Sequence, residues 1–145
     1  MSIPRLLILT VAFLAAFSEA PASAAFRQYY SSWNLYPQRQ YYYRTYYYKP
    51  SPDFAGYNYH YAIYYPDKPN YVYYYNPYKR VYWGRCDLRG KAGQQYSLLA
   101  EQDRKENLSD IPESAFPALG KMPPIPGSKD DVAIEPPKDL PKPEK

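Results

Sequence analysis

The sequence predicts a mainly β and coil protein: a small antiparallel β-meander set between a low-complexity N-terminal tether and a Pro-rich disordered tail. Three observations predict it. Tyr57 to Tyr65 alternates with period two, turn-forming clusters recur between Pro66 and Gly93, and proline dominates from Pro112 onward. The 145 residues allow one domain. All 21 tyrosines lie between Tyr29 and Tyr96, and large aliphatic residues are scarce after Ala24. Buried rings must therefore stand in for an aliphatic core.

Residues 1–24 read as an export signal. Met1 to Arg5 is mildly basic, Leu6 to Phe17 is a 12-residue apolar run, and Ala22-Ser23-Ala24 supplies a small-residue cleavage site. Twelve helical residues reach about 18 Å, short of the roughly 30 Å hydrocarbon core. Cleavage near Ala24 and a secreted, periplasmic or envelope-associated mature chain without a membrane span are expected.

Residues 25–56 are expected to form the tether. They contain a five-residue repeat, Arg39-Gln40-Tyr41-Tyr42-Tyr43 and Arg44-Thr45-Tyr46-Tyr47-Tyr48. On a strand an odd period sends successive copies to opposite faces, and on a helix it gives no stripe. Residues 57–99 are expected to be the β unit. Tyr57, Tyr59, Tyr61, Ile63 and Tyr65 fall on one face of its first strand, with Asn58, His60, Ala62 and Tyr64 on the other. Pro66 to Asn70 forms a loop before a second strand, Tyr71 to Tyr75. Asn76-Pro77-Tyr78-Lys79 has the residue placement of a type I turn. Arg80 to Leu88 returns, with Val81 and Trp83 on one face and Tyr82, Gly84 and Cys86 on the other. Arg89 to Gly93 is a second turn before a short strand, Gln95 to Leu99. Residues 100–116 are a polar, helix-prone segment, in which Glu101 is placed to pair with Lys105 and Asp110 to Glu113 resembles a capping box. Residues 117–145 are expected to form the acidic tail, with a polyproline II segment at Pro123 to Pro126 and disorder from Gly127 to Lys145.

Charge divides the chain. Phe26 to Gly93 carries ten Lys/Arg against three Asp, and Gln94 to Lys145 carries seven Lys/Arg against ten Asp/Glu. A basic aromatic half is joined to an acidic Pro-rich half. The candidate binding residues are Tyr71, Tyr73, Tyr75, Tyr82 and Trp83, which share the densest aromatic stretch. Such a surface suits polysaccharide, whose apolar sugar faces lie on rings, or envelope proteins. Export argues against nucleic acid as the partner, although bases also stack on rings. The Pro-rich arm, opposite in charge, is expected to dock on the aromatic sheet within one chain or between chains.

His60 and Cys86 are the only His and Cys, so no internal disulfide forms. Cys86 is a free thiol or an intermolecular link. A nucleophile–base pair of the two lacks a Gly-rich oxyanion context, and no catalytic residue is assigned. No metal-ligand spacing, phosphate loop or dinucleotide fingerprint occurs, so no cofactor is expected. A non-enzymatic structural or surface-interaction role follows, with a carbohydrate-binding module as the alternative.

Val81 to Arg85 (V-Y-W-G-R), Tyr96 to Leu99 (Y-S-L-L), Ile111 to Pro117 (I-P-E-S-A-F-P) and Met122 to Gly127 (M-P-P-I-P-G) occur in order. In these blocks the second half of the mature chain resembles a group of tyrosine-rich secreted proteins of planctomycete-type bacteria. The resemblance implies export and class, and it implies no activity, ligand or site residue.

Overall fold

The computed structural model describes residues 26–142, so the expected export signal lies outside the described residues. Seven strands form one antiparallel sheet: β1 (Gln28–Tyr30), β2 (Asn34–Tyr36), β3 (Tyr41–Tyr48), β4 (Asn58–Tyr64), β5 (Tyr71–Asn76), β6 (Val81–Lys91) and β7 (Gln94–Leu98). The order is β1-β3-β4-β5-β6-β7, and β2 pairs with β3. β1 lies opposite Tyr46 to Tyr48 and β2 opposite Tyr41 to Tyr43, so together they make one broken edge strand. The fold is mainly antiparallel β, as the alternation predicts.

The sheet is larger than expected because the supposed tether supplies β1, β2 and β3. The five-residue repeat explains this. In β3, Arg44, Tyr46 and Tyr48 face one way, while Tyr41 and Tyr43 face the other. The flip between copies puts rings on both faces, which suits a sheet covered on both sides.

We call the two sides face one and face two. Tyr46, Tyr48, Ala62, Val72, Tyr74, Trp83, Cys86 and Tyr96 build the core of face one. Ile63, Tyr73 and Tyr82 build that of face two. The alternation expected for β4 holds, with Ala62 and Tyr64 on face one and Tyr61 and Ile63 on face two. The alternation expected for β6 does not. Tyr75 pairs with Tyr82 and Tyr74 with Gly84, which leaves Trp83 as an extra residue in a β-bulge. The bulge resets the pleat, so Trp83 joins Cys86 on face one and Tyr82 stays on face two. Next to it, Gly84 leaves room for the Tyr96 ring: a Cβ there would lie 2.3 Å from the Tyr96 hydroxyl oxygen.

Residues 99–142 form a belt around the sheet. A first strap, residues 99–116, crosses face two and buries Leu99 and Ile111 against Ile63, Tyr73 and Tyr82. Its regular structure is three single 3-10 turns, Glu101–Asp103, Leu108–Asp110 and Glu113–Ala115. The expected helix is replaced because sheet contacts, together with Pro112, set the path. The turn at Glu113 forms as expected, but Pro112 precedes it and no side chain caps it. Without an α-helix, Glu101 and Lys105 make no ion pair among the described residues. Arg85 of β6 clamps this strap. Its guanidinium donates to both Glu113 oxygens at 3.0 and 2.8 Å and lies 3.9 Å from the Tyr71 ring centre and 3.8 Å from that of Phe116. The same pairing holds the Glu113 carboxyl below its ordinary range.

The chain then rounds the β7 edge, where Gly120 exchanges both main-chain hydrogen bonds with Tyr96. A second strap, residues 122–139, covers face one and sinks Ile125 and Ile134 into its core. The strap folds on itself, Ile125 N–H donating to Val132 and Ile134 N–H to Pro123. Its partners are residues of the supposed tether. The Gln28 amide donates to Ala133 O and accepts from Glu135 N–H, Tyr30 donates to Glu135 O at 2.6 Å, and Trp33 donates to Asp139 O at 3.0 Å. Arg27 pairs with Asp130, and Arg44 pairs with Asp139 at 2.8 Å while lying 4.7 Å from the Trp33 ring centre. The tail expected to be disordered is thus placed through Lys142, and the arm docks within its own chain. Each of the two low-complexity ends supplies the partner that orders the other.

Candidate functional site

The two straps cover unequal areas. The second strap closes face one over Tyr46, Tyr74 and Tyr96, all at most 2 % exposed. The first strap crosses face two over β5 and β6, which leaves the tyrosines of β1, β3 and β4 partly open. There Tyr29 stacks on Tyr47 at 4.7 Å, Tyr57 meets Tyr29 edge-on, and Tyr43 meets Tyr61 at 88°. Tyr29 is 47 % exposed and Tyr57 38 %.

Where the open tyrosines meet the first strap, a cleft of about 420 Å³ forms. Tyr41 and Tyr43 from β3, Tyr61 and Ile63 from β4, and Tyr75 and Tyr82 from neighbouring strands line it. Its rim is Tyr36 at the end of β2, Arg39 from the β2–β3 turn, Arg80 from the β5–β6 turn, and Glu106 and Asn107 from the strap. A second hollow of about 300 Å³ adjoins it, sharing Arg39, Tyr82, Glu106 and Asn107 and adding Lys68. Burial raises the Tyr41 and Tyr61 hydroxyl pKa values, with neighbouring tyrosines adding to the effect. Both remain neutral donors and acceptors at neutral pH.

Two matched turns position the basic rim. Pro37-Gln38-Arg39-Gln40 and Pro77-Tyr78-Lys79-Arg80 each end in a residue with left-handed backbone, Gln40 at φ 54° and Arg80 at φ 57°. Proline fixes the entry, and the left-handed residue turns the chain into the next strand. The Asn76 side chain caps the second turn by accepting from Tyr78 and Lys79 N–H at 2.9 and 3.2 Å, as its sequence predicts. The recurrence of Pro-x-basic marks Arg39 and Lys79 as matched positions, and Arg80 follows at the left-handed position that Gln40 takes in the first turn.

Of the five residues expected to bind, the cleft takes Tyr75 and Tyr82. Tyr82 is buried, and its hydroxyl is held by Tyr65 at 2.7 Å. Tyr73 is buried beneath Phe116, and Tyr71 is spent on the Arg85 clamp. Trp83 packs in face one against Tyr74, Tyr96 and His60. Tyr73 and Trp83 are core residues because straps cover both faces at β5–β6, which the sequence pattern alone does not reveal. The openings are at Tyr36, Tyr41, Tyr43 and Tyr61 instead.

His60 and Cys86 both sit in face one. Burial lowers the His60 pKa to about 4, and its Nε2 meets the Tyr48 hydroxyl at 3.2 Å. Burial, and then Asp87, push the Cys86 thiol up to about 11. Both are covered, and no hydrogen bond joins them among the described residues. No helix among the described residues is long and apolar enough to cross a membrane. No protein-family model, no curated protein and no solved structure matches the chain.

Proposed function

We propose that this is an exported, non-enzymatic interaction protein of the cell envelope or extracellular matrix, acting through an aromatic, basic surface. One observation carries the reading: a sheet with both faces rich in rings is strapped shut on one and left open at a tyrosine-lined, cation-rimmed cleft on the other. Stability alone gives no reason for the open half, since large exposed rings cost solubility and invite partners. The signal-like residues 1–24 and the resemblance to tyrosine-rich secreted proteins support the location. The test uses the chain from Ala25 onward, mixed with insoluble envelope material of the producing cells and sedimented. The wild-type chain should pellet, and the double variant Tyr43→Ser, Tyr61→Ser should stay in solution while still melting cooperatively as a folded protein. Equal pelleting of the two, or none by the wild type, overturns the proposal.

A further inference from the structure

If the cleft is an interaction site, as proposed above, its lining selects the class of ligand. The two hollows share four residues, so they form one groove, in the size range of small-ligand sites. Three cations line it, Arg39, Lys68 and Arg80, against one carboxylate, Glu106. Glu106 is already held by Arg80 at 2.6 Å. Arg39 and Lys68 make no ion pair among the described residues. An anionic ligand is therefore favoured, and a guanidinium suits a carboxylate in particular.

The floor narrows the class. Main-chain groups of β3, β4 and β5 are engaged with one another beneath the groove, so a peptide cannot add there as a strand. The paired rings Tyr43–Tyr61 and Tyr41–Tyr65 are edge-to-face, at 88° and 71°, so they make no parallel slots of the kind that hold stacked bases. Tyr36, 39 % exposed and stacked on Tyr41 at 5.5 Å, supplies a platform at the rim. Tyrosine hydroxyls and the Asn107 amide both donate and accept, as sugar hydroxyls do. We propose that the groove binds an acidic, uronate-bearing polysaccharide, with its carboxylates on Arg39 and Lys68 and a sugar ring on Tyr36.

Calorimetric titration of the chain from Ala25 onward tests this, with polygalacturonate as the ligand and its fully methyl-esterified form as the neutral match. Binding to the acid and none to the ester is expected. The double variant Arg39→Gln, Lys68→Gln should weaken binding by about tenfold or more, since it removes both cations that would hold carboxylates. Tyr36→Ala should also weaken it, and Lys91→Gln, in the β6–β7 hairpin, should not. Equal binding to acid and ester, no effect of the double variant, or preference for single-stranded nucleic acid would refute the proposal. If polygalacturonate fails to bind while tyrosine-dependent pelleting persists, only the ligand class falls. If both fail, the interaction reading falls with it.

Discussion

Face one and face two are built from the same side chain and end differently. On face one, Tyr46, Tyr74 and Tyr96 are sealed, and the hydroxyls of the first two find Gln28 and Tyr30. On face two, Tyr29, Tyr36 and Tyr57 each keep more than a third of their surface open. The rings do not decide this, because both faces have them. The straps decide it. The second strap is long enough, and well enough tied to Arg27, Gln28 and Arg44, to close one face, whereas the first strap covers only half of the other. Tyrosine serves both ends because its ring buries like an apolar residue while its hydroxyl satisfies itself in a core or faces water at a surface.

The contrast breaks most severely if the second strap is removed. Ending the chain at Lys121 should cost about 3–6 kcal/mol from Ile125 and Ile134 alone, at roughly 1.5–3 kcal/mol for each buried side chain. Trp83 emission should shift to the red and a hydrophobic dye should bind. Unchanged emission and no dye binding would show that face one does not need its cover.

Single rings sharpen the contrast. Tyr74→Ala removes a fully buried ring from contact with Trp83 and Tyr96, and should cost about 3–5 kcal/mol by urea unfolding. Tyr61→Ala, at the open cleft, should cost less than about 1.5 kcal/mol while reducing polygalacturonate binding. Similar costs at the two sites would erase the distinction between core and surface.

A third effect depends on pH. Buried His60 titrates at about 4, against 6.5 when free. Between those values the unfolded chain takes up the proton and the folded chain does not, so this group costs stability as pH falls from about 6.5 to about 4. The full loss is on the order of 3 kcal/mol. His60→Gln should flatten that part of the stability profile, and an unchanged slope would place His60 in water. The smallest expected effect is at the basic rim. Gln40→Gly relieves a left-handed backbone and should raise stability by about 0.5–1 kcal/mol, read as a higher melting temperature with the cleft intact.

Much of the middle of the fold was legible in the sequence. Alternation located β4, the Asn76-Pro77 turn located the β5–β6 hairpin, and Gly93, at φ 84°, marked the turn into β7. Three features were not. The Trp83 bulge inserts one residue, and Gly84 beside it is a local mark that strict alternation over Arg80 to Leu88 passes over, so the face assignments beyond it slipped. The ends show no period-two alternation, because β3 needs rings on both sides and the second strap is ordered by contacts about a hundred residues away, such as Arg27 to Asp130. The site lies where coverage stops, and coverage belongs to the path of the straps. Tyr41 and Tyr43 therefore read as low complexity, and Tyr73 and Trp83 as surface, when the folded chain exchanges their roles.

Hydroxyl-radical footprinting of the folded chain from Ala25 onward, with each tyrosine followed by mass spectrometry, reads the unequal cover of the two faces ring by ring. Tyr29, Tyr36 and Tyr57 should be modified quickly, and Tyr46, Tyr74 and Tyr96 should be protected until the protein unfolds. Comparable rates for the two sets would contradict a fold in which one face is sealed and the other is left partly open.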